Sequence, residues 1–255
     1  MKKLAVKKLI ACCVVLLSLT AFARAEDGAK LKGLWVTGGC CHDYKKHAPL
    51  LTGEIGKYAN AEFEIVFGLE IFKDKDYAKG YDVVVYDLCY GGEPDKDLIG
   101  NITGTIAAGK PTVIVHCSLH NFRAAETDDW REAMGMTSSS HDAFRALTTK
   151  KVAKHPITDF WPDDWSTPGE ELYRTIKFWP NATALMTVHS PESKKDHVVT
   201  WINQYGKGRV FATTLGHNML TVGQKDYHRL LGNGLLWVCG RLDDSGKPAA
   251  GSGSK

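Results

Sequence analysis

Past residue 25 the sequence has no run of ~20 apolar residues, so nothing there reads as a membrane-spanning helix. It has no P-loop and no Gly-x-Ser-x-Gly elbow, which removes the usual signatures of nucleotide hydrolases and serine hydrolases. Gly38-Gly39 follows an apolar run in the manner of a dinucleotide fingerprint, but the third glycine is missing. Gly206-x-Gly208 is followed by no helix, so it reads as a hairpin turn rather than a phosphate loop. Cysteine is sparse: Cys40, Cys41, Cys89, Cys117 and Cys239, an odd number, remain beyond the N-terminal pair Cys12-Cys13. A domain of this size buries enough core without staples. Cys89 and Cys117 end apolar runs and read as small core or near-core residues. Neighbours such as Cys40 and Cys41 rarely bridge, because the geometry is strained. Free thiols are expected, with room for one bridge.

What is present begins with an export signal. Lys2, Lys3, Lys7 and Lys8 form a positive region, Leu9 to Leu19 an apolar one, and Ala23-Arg24-Ala25 a small-x-small cleavage site before Glu26-Asp27. Leu9-Ile10-Ala11-Cys12 has the letters of a lipoprotein box, but the apolar stretch would then follow the acylated cysteine instead of preceding it. Residues 1–25 are therefore expected to be a signal peptide and the protein to be periplasmic or secreted. Cleavage removes five positive charges and no negative ones, taking the formal charge from +3 to −2. Neither a nucleic-acid partner nor a membrane surface is expected of the remaining chain.

The first half alternates strand and helix. Leu31 to Thr37, Glu62 to Gly68, Tyr81 to Cys89 and Thr112 to Cys117 read as strands, with helices over Lys46 to Ala59 and Pro94 to Ala108. Such alternation implies right-handed crossovers and a mostly parallel, flavodoxin-like α/β sheet with helices on both faces. A short helix is expected around Glu126 to Met134. Residues 143–180, rich in Pro, Trp and Asp, read as an irregular insertion. Strands resume at Ala184 to His189, Val198 to Asn203 and Arg209 to Leu215, the last two as a hairpin, and Tyr227 to Val238 closes the domain as a helix. The domain is bounded at 26–242, with a disordered tail expected over 243–255.

In an open parallel sheet, ligands bind outside the carboxyl ends of the strands. Three strands run into histidine-bearing loops: Gly38-Gly39-Cys40-Cys41-His42-Asp43, His116-Cys117-Ser118-Leu119-His120 and Gly216-His217-Asn218, and a fourth loop carries His141-Asp142. One histidine at a strand end is commonly a hydrogen-bonded structural residue; several converging on one edge point to proton transfer or metal ligation near neutral pH. His155, His189, His197 and His228 have no such placement and read as structural or surface residues. Trp161, Trp165, Tyr173 and Trp179 could form a sugar platform, but filling the core beneath the insertion accounts for them more simply.

These loops, with His155-Pro156-Ile157, Glu171-Leu172-Tyr173, the closing Leu231 to Trp237 and above all Gly206-Lys207-Gly208-Arg209-Val210-Phe211 running into Thr213-Thr214-Leu215-Gly216-His217, resemble the ThuA-like (trehalose utilisation) family. The resemblance covers most of residues 31–242. It implies a fold like that of class I glutamine amidotransferases, in which a nucleophilic cysteine stands on a strained elbow and a His-x-Glu completes the triad. This sequence departs from that triad. No glycines flank Cys117 in the elbow manner, and Met219 stands where Glu would follow His217. Members of the family commonly carry the equivalent of His116 without the cysteine. Amidotransferase activity is not expected, and Cys117 is expected to stand behind the site.

The resemblance further implies carbohydrate breakdown through 3-keto-glycosides made by a partner sugar oxidoreductase. A keto group acidifies the neighbouring C–H, so elimination, isomerisation or hydrolysis would need a base, an acid and a group to hold the enolate. His116 and His217 are the expected acid/base pair, since both end strands at the crevice. His42 and His141 are expected to bind substrate or a metal, with Asp43 and Asp142 orienting them. His120, Arg123 and Asn218 are expected to contact sugar hydroxyls. No cofactor is certain; a divalent metal is the one candidate. Two alternatives are a non-catalytic carbohydrate-binding module and a metal hydrolase built on His116 and His120, the latter requiring a helical segment to bring the two together.

Overall fold

In the computed structural model the described residues are 29–249, so the expected signal peptide lies outside them. The strands are β1 (Leu31–Gly39), β2 (Ala61–Phe67), β3 (Val83–Cys89), β4 (Thr112–Val115), β5 (Met136–Thr137), β6 (Arg145–Thr148), β7 (Lys150–Lys151), β8 (Ser166–Glu170), β9 (Lys177–Phe178), β10 (Ala182–Ser190), β11 (Lys195–Tyr205) and β12 (Gly208–Thr213). The helices are α1 (Tyr44–Ala59), α2 (Lys96–Ala107), α3 (Asp129–Met134), α4 (Met219–Val222) and α5 (Lys225–Val238). One eight-stranded sheet runs β2-β1-β3-β4-β12-β11-β10-β7. Its β2, β1, β3, β4 and β12 are parallel, while β11, β10 and β7 add on antiparallel.

Period-two alternation along β3 sends Val83 and Val85 to one face and Val84, Tyr86 and Leu88 to the other. α1 and α5 cover the first face through Leu51, Ile55, Leu231 and Leu235; α2 and α3 cover the second through Ile99, Ile102, Ile106 and Trp130. Each such buried aliphatic side chain contributes roughly 1.5–3 kcal/mol of transfer free energy. α2 starts where Asp95 accepts hydrogen bonds from the backbone N–H groups of Asp97 and Leu98. α5 approaches the sheet closely because Gly234 lacks a Cβ, which would meet Phe211 at 2.2 Å.

The sheet therefore has the expected flavodoxin-like, mostly parallel form, with three departures. β4 ends at Val115 rather than reaching Cys117. His116 turns the chain with φ +43° into a 3-10 helix over His116–His120, a left-handed conformation that a non-glycine residue adopts at a cost of ~1–3 kcal/mol. The tail expected to be disordered over 243–255 is ordered over its first seven residues. Asp243 N–H donates to Lys247 and Ala249 N–H to Arg241, because Gly246 permits the tight reversal at φ +72°. The insertion is not structureless either: β6 pairs with β8, β5 with β9, and β7 joins the main sheet.

Candidate functional site

β1, β4 and β12 point their carboxyl ends the same way, and the turns beyond them carry His42, His116 and His217. Ring centroids stand 4.7 Å apart for His42 and His116, 4.9 Å for His42 and His217, and 5.5 Å for His116 and His217. One nitrogen of each lies within 4.8 Å of the others. Backbone carbonyls set two of the rings. His116 Nδ1–H donates to Thr214 O at 2.5 Å, and His42 Nδ1–H donates to His217 O at 3.0 Å. Each thus keeps a lone pair on Nε2, and His42 Nε2 is buried with no hydrogen-bond partner.

The insertion brings a carboxylate pair that position along the sequence did not single out. Glu170, fully buried at the end of β8, accepts from Gly216 N–H at 2.9 Å and from His217 N–H at 3.1 Å. Glu171 Oε2 lies 3.2 Å from His217 Nδ1 and 3.7 Å from His116 Nε2, and its Oε1 lies 3.4 Å from His141 Nε2. Residues 143–180 read as an irregular insertion with no periodicity to place its charges, so the only signal was that Glu171 opened one of the family-like segments.

These surroundings separate the histidines by charge state. Burial, then the proximity of His217, lowers the His42 pKa to about 4. Burial, then His42, holds His116 well below the usual imidazole range. His217 moves the other way, raised by its contact with Glu171 against the effect of burial. Burial alone would raise Glu171, but His217, His141 and His42 together bring it down. The site thus holds two neutral imidazoles, one imidazole that readily takes a proton, and an ionised carboxylate beside it.

Two clefts open on this cluster. One of about 390 Å³ is polar and lined by His120, Arg123, His141, Glu171, Tyr173 and cysteine sulfurs. The other, about 350 Å³, is lined by His47, His217, Asn218, Met219 and Leu220. His42 lines both. His116 lies beneath them, 2 % exposed, with Tyr173 Oη 3.5 Å from its Nε2. His120 stacks on Tyr173 at 4.1 Å, and Arg123 donates to Ser139 O.

Two expected roles do not survive. Asp43 is exposed and pairs with Lys46 at 2.8 Å, because the first turn of α1 brings that lysine alongside; it does not orient His42. Asp142 is buried and held by Arg174 at 2.8 Å and Arg145 at 3.4 Å, so His141 Nδ1–H donates to its backbone oxygen instead. Asn218 lines the smaller cleft, but its side-chain oxygen caps α4 through Leu220 N–H. Trp161 and Trp165 are buried and packed together at 4.5 Å between centroids, as core filling requires, and cannot form a sugar platform. His116 and His120 share a 3-10 turn, yet the histidine group able to hold a metal among the described residues is His42, His116 and His217.

The free thiols expected at four positions are instead bridged as Cys40–Cys41 and Cys89–Cys117, leaving Cys239 free. The β1 turn folds Cys40 and Cys41 back on each other, and β3 and the turn after β4 bring Cys89 and Cys117 to a Cα separation of 5.3 Å.

A mostly parallel α/β sheet of this kind is a flavodoxin-like architecture, and the polar groups gather at the carboxyl strand ends, the edge at which open parallel sheets bind ligands. The family model described as trehalose utilisation matches residues 34–238, and the chain belongs to this ThuA family. Membership supports a carbohydrate-related role. No curated protein matches the chain. Among solved structures, a ThuA-like protein from Parabacteroides merdae is 17 % identical with a TM-score of 0.69, covering 89 % of this chain and 100 % of its own. A ThuA-like protein from Bacteroides uniformis is 15 % identical with a TM-score of 0.67, covering 88 % and 96 %. A β-galactosidase from a Rahnella species is 12 % identical with a TM-score of 0.57, covering 82 % of this chain and 31 % of the enzyme. At these identities the likeness is one of fold.

Proposed function

We propose that the protein is an exported enzyme of carbohydrate catabolism that acts on a glycoside or 3-keto-glycoside by proton transfer through His217. The contact between Glu171 and His217, at the junction of two clefts, carries this proposal. His217 in its neutral form takes the C–H proton beside the keto group. The resulting imidazolium, stabilised by Glu171, returns that proton to the departing glycosidic oxygen as the C–O bond breaks. Arg123, His120 and His141 suit the sugar hydroxyls, since all three line the polar cleft. A sugar oxidoreductase acting on the same glycosides would supply the keto substrate. Export would place the enzyme in the periplasm or outside the cell, and cell fractionation tests that part separately.

Turnover of 3-keto-glycosides, lost in His217→Ala and Glu171→Gln, is the expected result. Binding without turnover, changed only in affinity by these substitutions, would establish a carbohydrate-binding module instead.

The unpartnered Nε2 of His42 favours a second arrangement. Two imidazoles fixed by backbone carbonyls and a third beside them form a His₃ set able to hold a divalent cation. His217 would then be a ligand and Glu171 the base. Elemental analysis of untreated protein separates the two.

A further inference from the structure

Four of the five cysteines beyond the N-terminal segment meet at the wall of the polar cleft. Cys40–Cys41 and Cys89–Cys117 are disulfides, and Cys40 Sγ lies 3.5 Å from Cys89 Sγ. The backbone enforces this approach. Gly39 sits in register with Cys89, a Cβ on it would meet Cys89 O at 2.3 Å, and Cys40 N–H donates to that same oxygen. The two bonds differ in access: Cys40 and Cys41 are exposed, while Cys89 and Cys117 are only 6 % and 5 % exposed. A thiol in solution can reach the first bond; the second is within reach of Cys40.

We propose that these four sulfurs form a thiol–disulfide exchange site, which accepts two electrons from an external dithiol at Cys41 and delivers them to the buried bond. One thiolate of the dithiol attacks Cys41 Sγ, and Cys40 leaves as a thiolate. Cys40 then attacks Cys89 Sγ, forming a Cys40–Cys89 bond and breaking Cys89–Cys117; Cys117 leaves as a thiolate and takes a proton. The donor's second thiol attacks the donor sulfur of the mixed disulfide, so the donor departs as its own disulfide and Cys41 is released as a thiol. In sum one dithiol is oxidised, one protein disulfide is reduced, and two bonds become the single bond Cys40–Cys89. Because the attacking sulfur is already held beside its target, the internal step competes well with a second encounter in solution.

The exchange does not depend on the sugar chemistry, but it alters the same cleft. Cys41 directly precedes His42 and Cys117 directly follows His116, so the new bond ties the His42 loop to the end of β3, releases the His116 loop from it, and leaves a thiol beside each histidine.

One equivalent of dithiothreitol added to the native protein, followed by acid quench, alkylation in denaturant and peptide mapping, tests the site. Expected are near-equal labelling of Cys41 and Cys117, a linked Cys40–Cys89 peptide pair, and Cys239 labelled before and after. Labelling of Cys40 and Cys41 with Cys89–Cys117 intact would overturn the exchange. Cys41→Ser, which leaves Cys40 without its neighbour, should isolate with Cys40–Cys89 linked and Cys117 free; isolation with Cys40 free and Cys89–Cys117 intact would equally refute it.

Discussion

Glu171 Oε2 lies 3.2 Å from His217 Nδ1, while the adjacent Glu170 accepts hydrogen bonds from the backbone N–H of the same histidine. One carboxylate fixes where the residue sits and the next tunes its ring. Replacing Glu171 with Gln should lower kcat on a 3-keto-glycoside by roughly 10²–10⁴-fold, the range for losing acid–base assistance. It should also bring the His217 pKa down, because the negative charge that raises it is gone. Steady-state kinetics and histidine NMR titration check the two effects together.

A cation at the three imidazoles would bind through neutral rings, and the low pKa of His42, about 4, leaves that ring available at neutral pH. Elemental analysis should then find one divalent ion per chain, lost in His42→Ala. Acidification should release it, since protonation competes with the metal for the same lone pairs. Protein without metal that retains full turnover would leave proton transfer through His217 as the sole mechanism.

Asp87 is buried in β3 and accepts hydrogen bonds from Trp35 Nε1 and Thr37 Oγ1, yet burial pushes its pKa up to about 6 from an ordinary 3.8. A folded-state pKa above the unfolded one means that the folded protein binds the proton more tightly. Stability is therefore full below pH ~4 and falls as pH rises through ~6. Relative to the unsubstituted protein, Asp87→Asn should gain up to about 3 kcal/mol between pH 4 and pH 8. Denaturant unfolding at several pH values measures it, and a pH-independent difference would contradict the expectation.

Gly234 faces Phe211 with no room for a methyl group. Gly234→Ala should cost about 1–3 kcal/mol through displaced packing, despite the higher helix propensity of alanine. Gly53 in α1, where an added Cβ would meet nothing within 4 Å, is the control. Gly53→Ala should be neutral or stabilising by up to about 1 kcal/mol. Thermal unfolding of the two variants side by side decides.

The strand–helix alternation, the β11–β12 hairpin and the closing helix were legible in the chain because each depends on local periodicity and turn chemistry. So was the convergence of His42, His116 and His217, since parallel strands put successive loops at one edge. Glu171 was not, because it reaches the cluster from an irregular insertion whose path no periodicity describes. The misassigned aspartates fail for a related reason: proximity in sequence placed them beside histidines, but Lys46, Arg145 and Arg174 compete for their carboxylates in space.

By itself, then, the amino-acid order determined the sheet, its family and the edge where polar groups gather, all consequences of hydrophobic pattern and chain direction. Which histidines are neutral, which one carries a carboxylate partner and which cysteines bond were decided only by tertiary structure. Burial and charge proximity act over a few ångströms between residues as far apart as Glu171 and His217, or Cys89 and Cys117, and only the completed fold sets those distances.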